Sequence, residues 1–285
     1  MNRGAIFVIA RLTVREAMRR RLLWALLGLT LVLVVVTGWL FGKAAELTPF
    51  EGGAQQLILS QLLVMIAFMF SFVLTMTAAF AASPAIGPEI ENGLLLAVLA
   101  RPVRRSDVLL GRWLGLAAVV VGYSLAAGYL ELAIVRLTTG YLPVDPVVAP
   151  LYLAGEALIL LTLALVFSTR IASVASGSIA VVGFGLAWMG GIAGGVGDYL
   201  NNDTLRTAGT VAHVLLPSDT LWRGAMFALE PPPDVLAAAG AEARIFTVSP
   251  FFAGSSPPPI WLAWCAAWIV AALAIGALML RRREL

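Results

Sequence analysis

Charge is scarce in this chain. Of its 285 residues only 12% are Asp, Glu, Lys or Arg, whereas soluble domains carry about a quarter, so water cannot be its main solvent. Lysine occurs once, at Lys43, and is followed by Ala44. A phosphate-cradling P-loop needs a lysine followed by serine or threonine after a glycine-rich turn, so the chain cannot hydrolyse ATP by that route. Histidine and cysteine also occur once each, as His213 and Cys265. One of each excludes an internal disulfide, a Cys/His metal site and the paired histidines of a zinc protease. A serine triad would have to use His213, yet no G-x-S-x-G elbow accompanies it. The nearest acidic pair, Glu89 and Glu91, points to different faces of a helix and makes a poor metal cluster. No enzyme activity and no resident cofactor or metal is expected. Cys265 reads as packing, and His213 as a surface or interfacial residue.

What is abundant is apolar length: 60% of the residues are hydrophobic. A spanning helix needs about 20 apolar residues, because the hydrocarbon core is about 30 Å thick and each helical residue rises about 1.5 Å. Six runs qualify, at 22–41, 60–82, 113–132, 151–167, 172–196 and 260–280. Continuous runs are not the alternating pattern of barrel strands. The expected fold is therefore all-α, a polytopic membrane protein of six transmembrane helices in one domain over 1–285.

Of the 19 basic residues, 14 fall in the N-terminal segment, the segment after the second run, the turn at Arg170 and the tail. By the positive-inside rule those segments face the cytoplasm, which puts both termini inside. Residues 1–21 have helical periodicity, with Arg11, Arg15 and Arg19 on one face and Ile6, Ala10, Thr13 and Ala17 opposite. Such a helix lies in the headgroup plane and meets membrane lipids. A 20-residue first run exceeds a signal-peptide core, so it reads as a retained span.

Four further features bear on function. Glu156 sits inside the fourth run and Glu131 near the outer end of the third. A carboxylate at such depth costs up to about 3 kcal/mol on insertion scales, so it faces protein or water; for Glu156 a substrate-path role and a structural hydrogen bond are both open. Gly190/Gly194 and Gly191/Gly195 form overlapping G-x-x-x-G pairs, which admit a close helix from the same or another subunit. The outer loop 197–259 carries two partly apolar stretches, 211–216 and 221–229, expected to rest on the outer interface.

The cytoplasmic loop 87–108 is the most informative. Glu89 and Glu91 open a short apolar helix, Pro102 stops it, and Ser106 is placed to cap the helix into the third span. Its segments Glu89-Ile-Glu91-Asn-Gly93, Arg101-Pro-Val-Arg-Arg105 and Leu110-Gly-Arg-Trp-Leu-Gly115 resemble those of the permeases of ABC type-2 exporters, with Leu94 and Arg112 standing where threonine and lysine are usual. Leu-Leu-Pro-Ser-Asp at 215–219 resembles a segment these permeases carry in the last outer loop. The resemblance implies a permease subunit without a catalytic site, in the cytoplasmic membrane of a bacterium or archaeon. It implies an ABC ATPase dimer as partner, holding ATP and Mg, and a second permease, identical or related. Residues 89–99 would be the coupling helix docked on that ATPase, with Glu89, Glu91, Gly93, Arg101, Pro102, Arg104 and Arg105 as its coupling residues. For the arginines, topology and anionic lipid are the competing use. The competing functions are an ATP-independent transporter or channel coupled through Glu156, and a membrane scaffold for an assembly system. No nucleic-acid partner is expected.

Overall fold

The computed structural model describes residues 3–19, 21–47, 53–86, 104–239 and 250–282. Glu89, Glu91, Gly93, Arg101 and Pro102, with the short helix expected over 89–99, lie outside the described residues. Among the described residues all regular structure is helical: α1 (Arg3–Arg19), α2 (Arg21–Leu47), α3 (Gly53–Ala82), α4 (Arg105–Thr139), α5 (Ala149–Ser168), α6 (Ser173–Leu200), α7 (Asp203–Leu215), α8 (Ser218–Leu229), α9 (Pro233–Ala239) and α10 (Pro259–Arg281). Five segments are long and apolar enough to cross a membrane: Gln55–Ala85, Arg105–Thr139, Ala149–Ser168, Ser173–Leu200 and Pro259–Arg281. Within α2 the described apolar part is Thr30–Ala44.

α5 is the axis of the bundle. It is apolar all round rather than amphipathic, which is the pattern of a helix surrounded by protein. Ile159, Leu160, Leu161 and Leu165 are fully buried, and α3, α4, α6, α8 and α10 all pack against it. α6 and α10 lie at the periphery, with Val182, Leu186, Met189, Ile260 and Val270 exposed; on a membrane protein such faces meet lipid.

The third span begins earlier than its apolar run. Its helix opens at Arg105, with Arg104 in extended conformation as N-cap and no side-chain cap. Ser106 therefore lies inside the first turn, and the cap expected from it does not form. The negative end of the turn is supplied instead by Asp107, a carboxylate placed where the helix dipole favours it.

The loop 197–259 also departs from expectation. Asn201 takes a left-handed conformation (φ 52°) and ends α6; Asn202 caps α7 by accepting from Leu205 N at 3.1 Å. α7 then folds back along α6. α8, which covers the second apolar stretch, does not rest on the outer interface but is enclosed in the bundle: Trp222 and Met226 are 2% exposed and Ala225 not at all. Small residues admit it. A Cβ on Gly224 would lie 2.6 Å from the Tyr152 ring of α5. Phe68 of α3 then gathers Trp222, Trp188 of α6 and Phe251 at centroid distances of 5.4, 5.2 and 5.3 Å, within the range of favourable aromatic pairs.

Candidate functional site

Three groups of polar residues stand out, beginning with the bundle end where α4 starts. Glycines four apart on α4 seat α1: a Cβ at Gly111 would meet Ile9 at 2.7 Å, and one at Gly115 would meet the Ala10 carbonyl at 2.6 Å. The face of α1 carrying Ile6, Ala10 and Thr13 is thus buried on α4, while Phe7, Val8, Leu12 and Met18 point outward. Arg112 Nη1 completes the joint with an ion pair to Glu16 at 2.6 Å. The glycines of the Leu110–Gly115 motif and its Arg112 therefore share one local task, holding α1 to the start of the third span.

At the same end two arginines grip α10. Arg105 Nη1 donates to the carbonyls of Leu280 at 3.1 Å and Arg281 at 3.4 Å. Arg170, in the turn between α5 and α6, donates through Nη2 to the Met279 carbonyl at 3.0 Å. The last carbonyls of a helix have no intrahelical partner and carry the negative end of its dipole, so cations there satisfy both. Arg105 is engaged by its own chain, a role the sequence reading missed; Arg104 beside it is exposed. No local signal could have shown it, because the acceptors lie 175 and 176 residues away.

The second group is inside the spans. Glu156 on α5 is 1% exposed and accepts from Ser71 Oγ of α3 at 2.6 Å. Glu131 on α4 is 6% exposed and faces Thr37 of α2, but the two do not reach hydrogen-bonding geometry. It lines a cavity of about 30 Å³ with Ala67, Phe70, Gly128 and Pro150, about the volume of one water. Nearby, Thr30 of α2 and Tyr123 of α4 share a hydrogen bond of 2.6 Å. The fold brings Glu131 to α2 and Glu156 to α3, so the two carboxylates do not share a site.

The third group includes the glycine stripe. Gly190 and Gly194 meet Ala212 and Gly209 of α7, Gly191 meets Asp219 of α8, and a Cβ on Gly195 would lie 3.6 Å from Arg223 Nη2 of α8. A helix of the same chain fills the stripe. Asp219, 4% exposed, accepts from Arg223 Nε and bonds His213 Nε2, each at 2.8 Å, and Arg223 Nη2 donates to the Gly191 carbonyl. His213 is thereby half-buried and hydrogen-bonded to a carboxylate that Arg223 also holds, an arrangement not foreseen from sequence. Outside the spans, Glu230 caps the end of α8 and accepts from Ala253 N at 2.6 Å; burial pushes its carboxyl up to about 7 against those amide bonds. Among the described residues, no group of three or more His, Cys, Asp or Glu could hold a metal ion.

Residues 7–285 match the family described as ABC-2 family transporter protein. The chain belongs to the ABC-2 transporter family. It is a multi-pass membrane protein of that family. It is also 30% identical over 140 residues to the probable ABC transporter permease protein NosY of Stutzerimonas stutzeri. That alignment covers 47% of this chain and 47% of the relative, so the chain matches about half the length of that relative.

Proposed function

We propose that this chain is the permease of an ATP-driven exporter, with ATP and Mg bound by a separate pair of cytoplasmic ATPase subunits docked on the 87–108 segment. The observation that carries the reading is the family match along almost the whole chain. Six crossings follow if α2 spans as well, since 27 helical residues at about 1.5 Å each exceed a hydrocarbon core of about 30 Å. Arg105, Arg112 and Arg170 all serve one end of the bundle, which supports a cytoplasmic placement of that end, with both termini, by the positive-inside rule. A second permease copy, or a relative, would meet the chain through a face other than the glycine stripe, which α7 and α8 fill.

The geometry supports a mechanism for coupling. A push on the segment that enters α4 acts on a rigid joint: α1 is seated on α4 through Gly111 and Gly115, and α10 is held to it through Arg105. Tilting α4 therefore carries α1 and the end of α10 together, a rigid-body shift of the kind that opens a path between packed helices. Glu89, Glu91, Gly93, Arg101, Pro102 and Arg104 are proposed as the contacts to the ATPase, and Arg105 as a residue that positions α10 behind them.

The test is copurification of the tagged chain in detergent with a separately encoded ATPase, followed by ATPase and transport assays. E89A/E91A is expected to release or uncouple the ATPase while the permease stays folded. A chain that purifies alone and moves solute in ATP-free liposomes would overturn the reading and make Glu156 the lead coupling residue.

A further inference from the structure

We propose that α10 is a rod linking the start of α4 to the α7–α8 hairpin in the other half of the bundle, and that Trp264 and Trp268 are the positioning residues that fasten the hairpin to it. α7 runs back beside α6, with Gly209 against Gly194 and Ala212 against Gly190, until Leu216 lies against Gly183. α8 then returns along α5, with Leu221 against Gly155 and Gly224 against Tyr152. The two helices thus form a re-entrant hairpin whose tip, 215–218, is sunk among the spans. His213 of α7 and Arg223 of α8 both hold Asp219, which ties the two arms into one piece.

A helix that ends inside the bundle leaves carbonyls without intrahelical partners, and α10 supplies the donors. Trp264 Nε1 donates to the Val214 carbonyl at 3.2 Å and Trp268 Nε1 to the Leu215 carbonyl at 2.9 Å, while Cys265 Sγ donates to the Pro217 carbonyl at 3.6 Å. One turn of α10 therefore holds the tip. The helix continues unbroken to Arg281, where Arg105 and Arg170 hold its last carbonyls. Near that end a Cβ on Gly276 would lie 3.0 Å from Val166 and 3.4 Å from Leu109, so α10 is pressed onto α4 and α5. Trp268 and Leu280 are twelve residues apart, about 18 Å along a helix rising about 1.5 Å per residue. A rigid helix bonded near both ends joins the two places it holds. The tip has few polar bonds of its own to resist a pull. Ser218 Oγ, Thr220 Oγ1 and Trp222 Nε1 are buried without a partner among the described residues, although buried polar groups are almost always bonded. Opening the tip lets them bond to water, which offsets part of the packing given up.

The direction of travel, from α4 to the hairpin, rests on the coupling reading above; the link itself is tested without the ATPase. The reporter is S218C in a C265S background, which keeps a donor for the Pro217 carbonyl, with thiol labelling followed on the full chain in nanodiscs. Ser218 is 1% exposed, so its labelling measures opening of the tip. W268F keeps an aromatic ring and removes the donor; it should speed labelling about three- to tenfold, the worth of one hydrogen bond in an opening equilibrium. W264F repeats the test at the longer bond, and melting curves separate a loosened tip from a lost fold. R105Q, at the far end of α10, should speed labelling as well, and R105K, which keeps a cation on those carbonyls, should bring the rate back toward the parent's. In R105Q/W268F the two effects should not multiply, as they would for independent sites. Labelling unchanged in R105Q, or effects that multiply, overturns the link. With the ATPase present, W268F should lower transport per ATP while hydrolysis continues; parental transport per ATP overturns α10 as the carrier of the stroke. Failure to recover any ATPase overturns the coupling reading instead and leaves the labelling result to decide the link.

Discussion

Glu230 shows how a single side chain can set a pH limit on this protein. It is buried at the end of α8 and holds the Ala253 amide, and burial raises its carboxyl to about 7. A carboxyl raised above its unfolded value favours folding in its neutral form. That contribution is full below the ordinary range near pH 4.5 and is lost as pH rises through about 7, to an extent on the order of 3 kcal/mol. Thermal unfolding in detergent should therefore fall between mildly acidic and mildly basic pH, and E230Q should flatten that slope; an equal slope in E230Q would remove Glu230 as its origin. Gly224 is a second single-residue test. A methyl added there runs into the Tyr152 ring 2.6 Å away, and overpacking of this kind costs about 1–3 kcal/mol. G224A should lower the melting temperature. Gly122, which has open space around it, should tolerate alanine and serves as the control.

Between helices, the seat of α1 on α4 and the grip on α10 make separable predictions. Replacing Gly115 by leucine should dislodge α1 without touching the spans, read as new protease cleavage near Arg15 and a weaker coupling of ATPase to transport. R105Q should leave copurification of the ATPase in place yet lower transport per ATP, because the lost bonds are to α10; loss of copurification would instead make Arg105 a docking contact. The helices themselves were legible in the sequence because membrane thickness imposes a minimum apolar length that composition alone reveals. The apolar face of α1 was legible from its period, but not that α4 covers it, since glycines give no hydropathy signal. α8 was misread for a related reason. Its partly apolar composition suits the outer interface as well as a core, and only the folded chain shows Asp219 and Arg223 satisfying each other and His213. Helix-end partners such as Arg105 and Leu280 are beyond any window-based reading, because the sequence separates them by 175 residues.

For the whole molecule, the topology and the intramembrane acids are the remaining questions. Single cysteines added at Arg104 and at Gly254 to a C265A background should label from opposite sides of the membrane; labelling from one side would overturn the six-span, both-ends-inside arrangement. E156Q keeps a bond to Ser71 and should leave the protein stable, whereas E156A strands the Ser71 hydroxyl in the core and should destabilise it by about 1–3 kcal/mol. Transport lost in E156Q with stability retained would give Glu156 a part in the path itself.

The enclosure of α8 against α5 has a consequence for biogenesis. α5 leaves the ribosome about 50 residues before α8, so during synthesis its Tyr152 and Gly155 flank has only lipid to face. That flank tolerates lipid because it is uncharged, but the helix acquires its partner late, after α6 and α7 have been threaded. Chains stopped short of Ser218 should therefore insert normally and still be cleared by membrane quality control, since the axis of the bundle remains open on one side until the last third of the protein has been made.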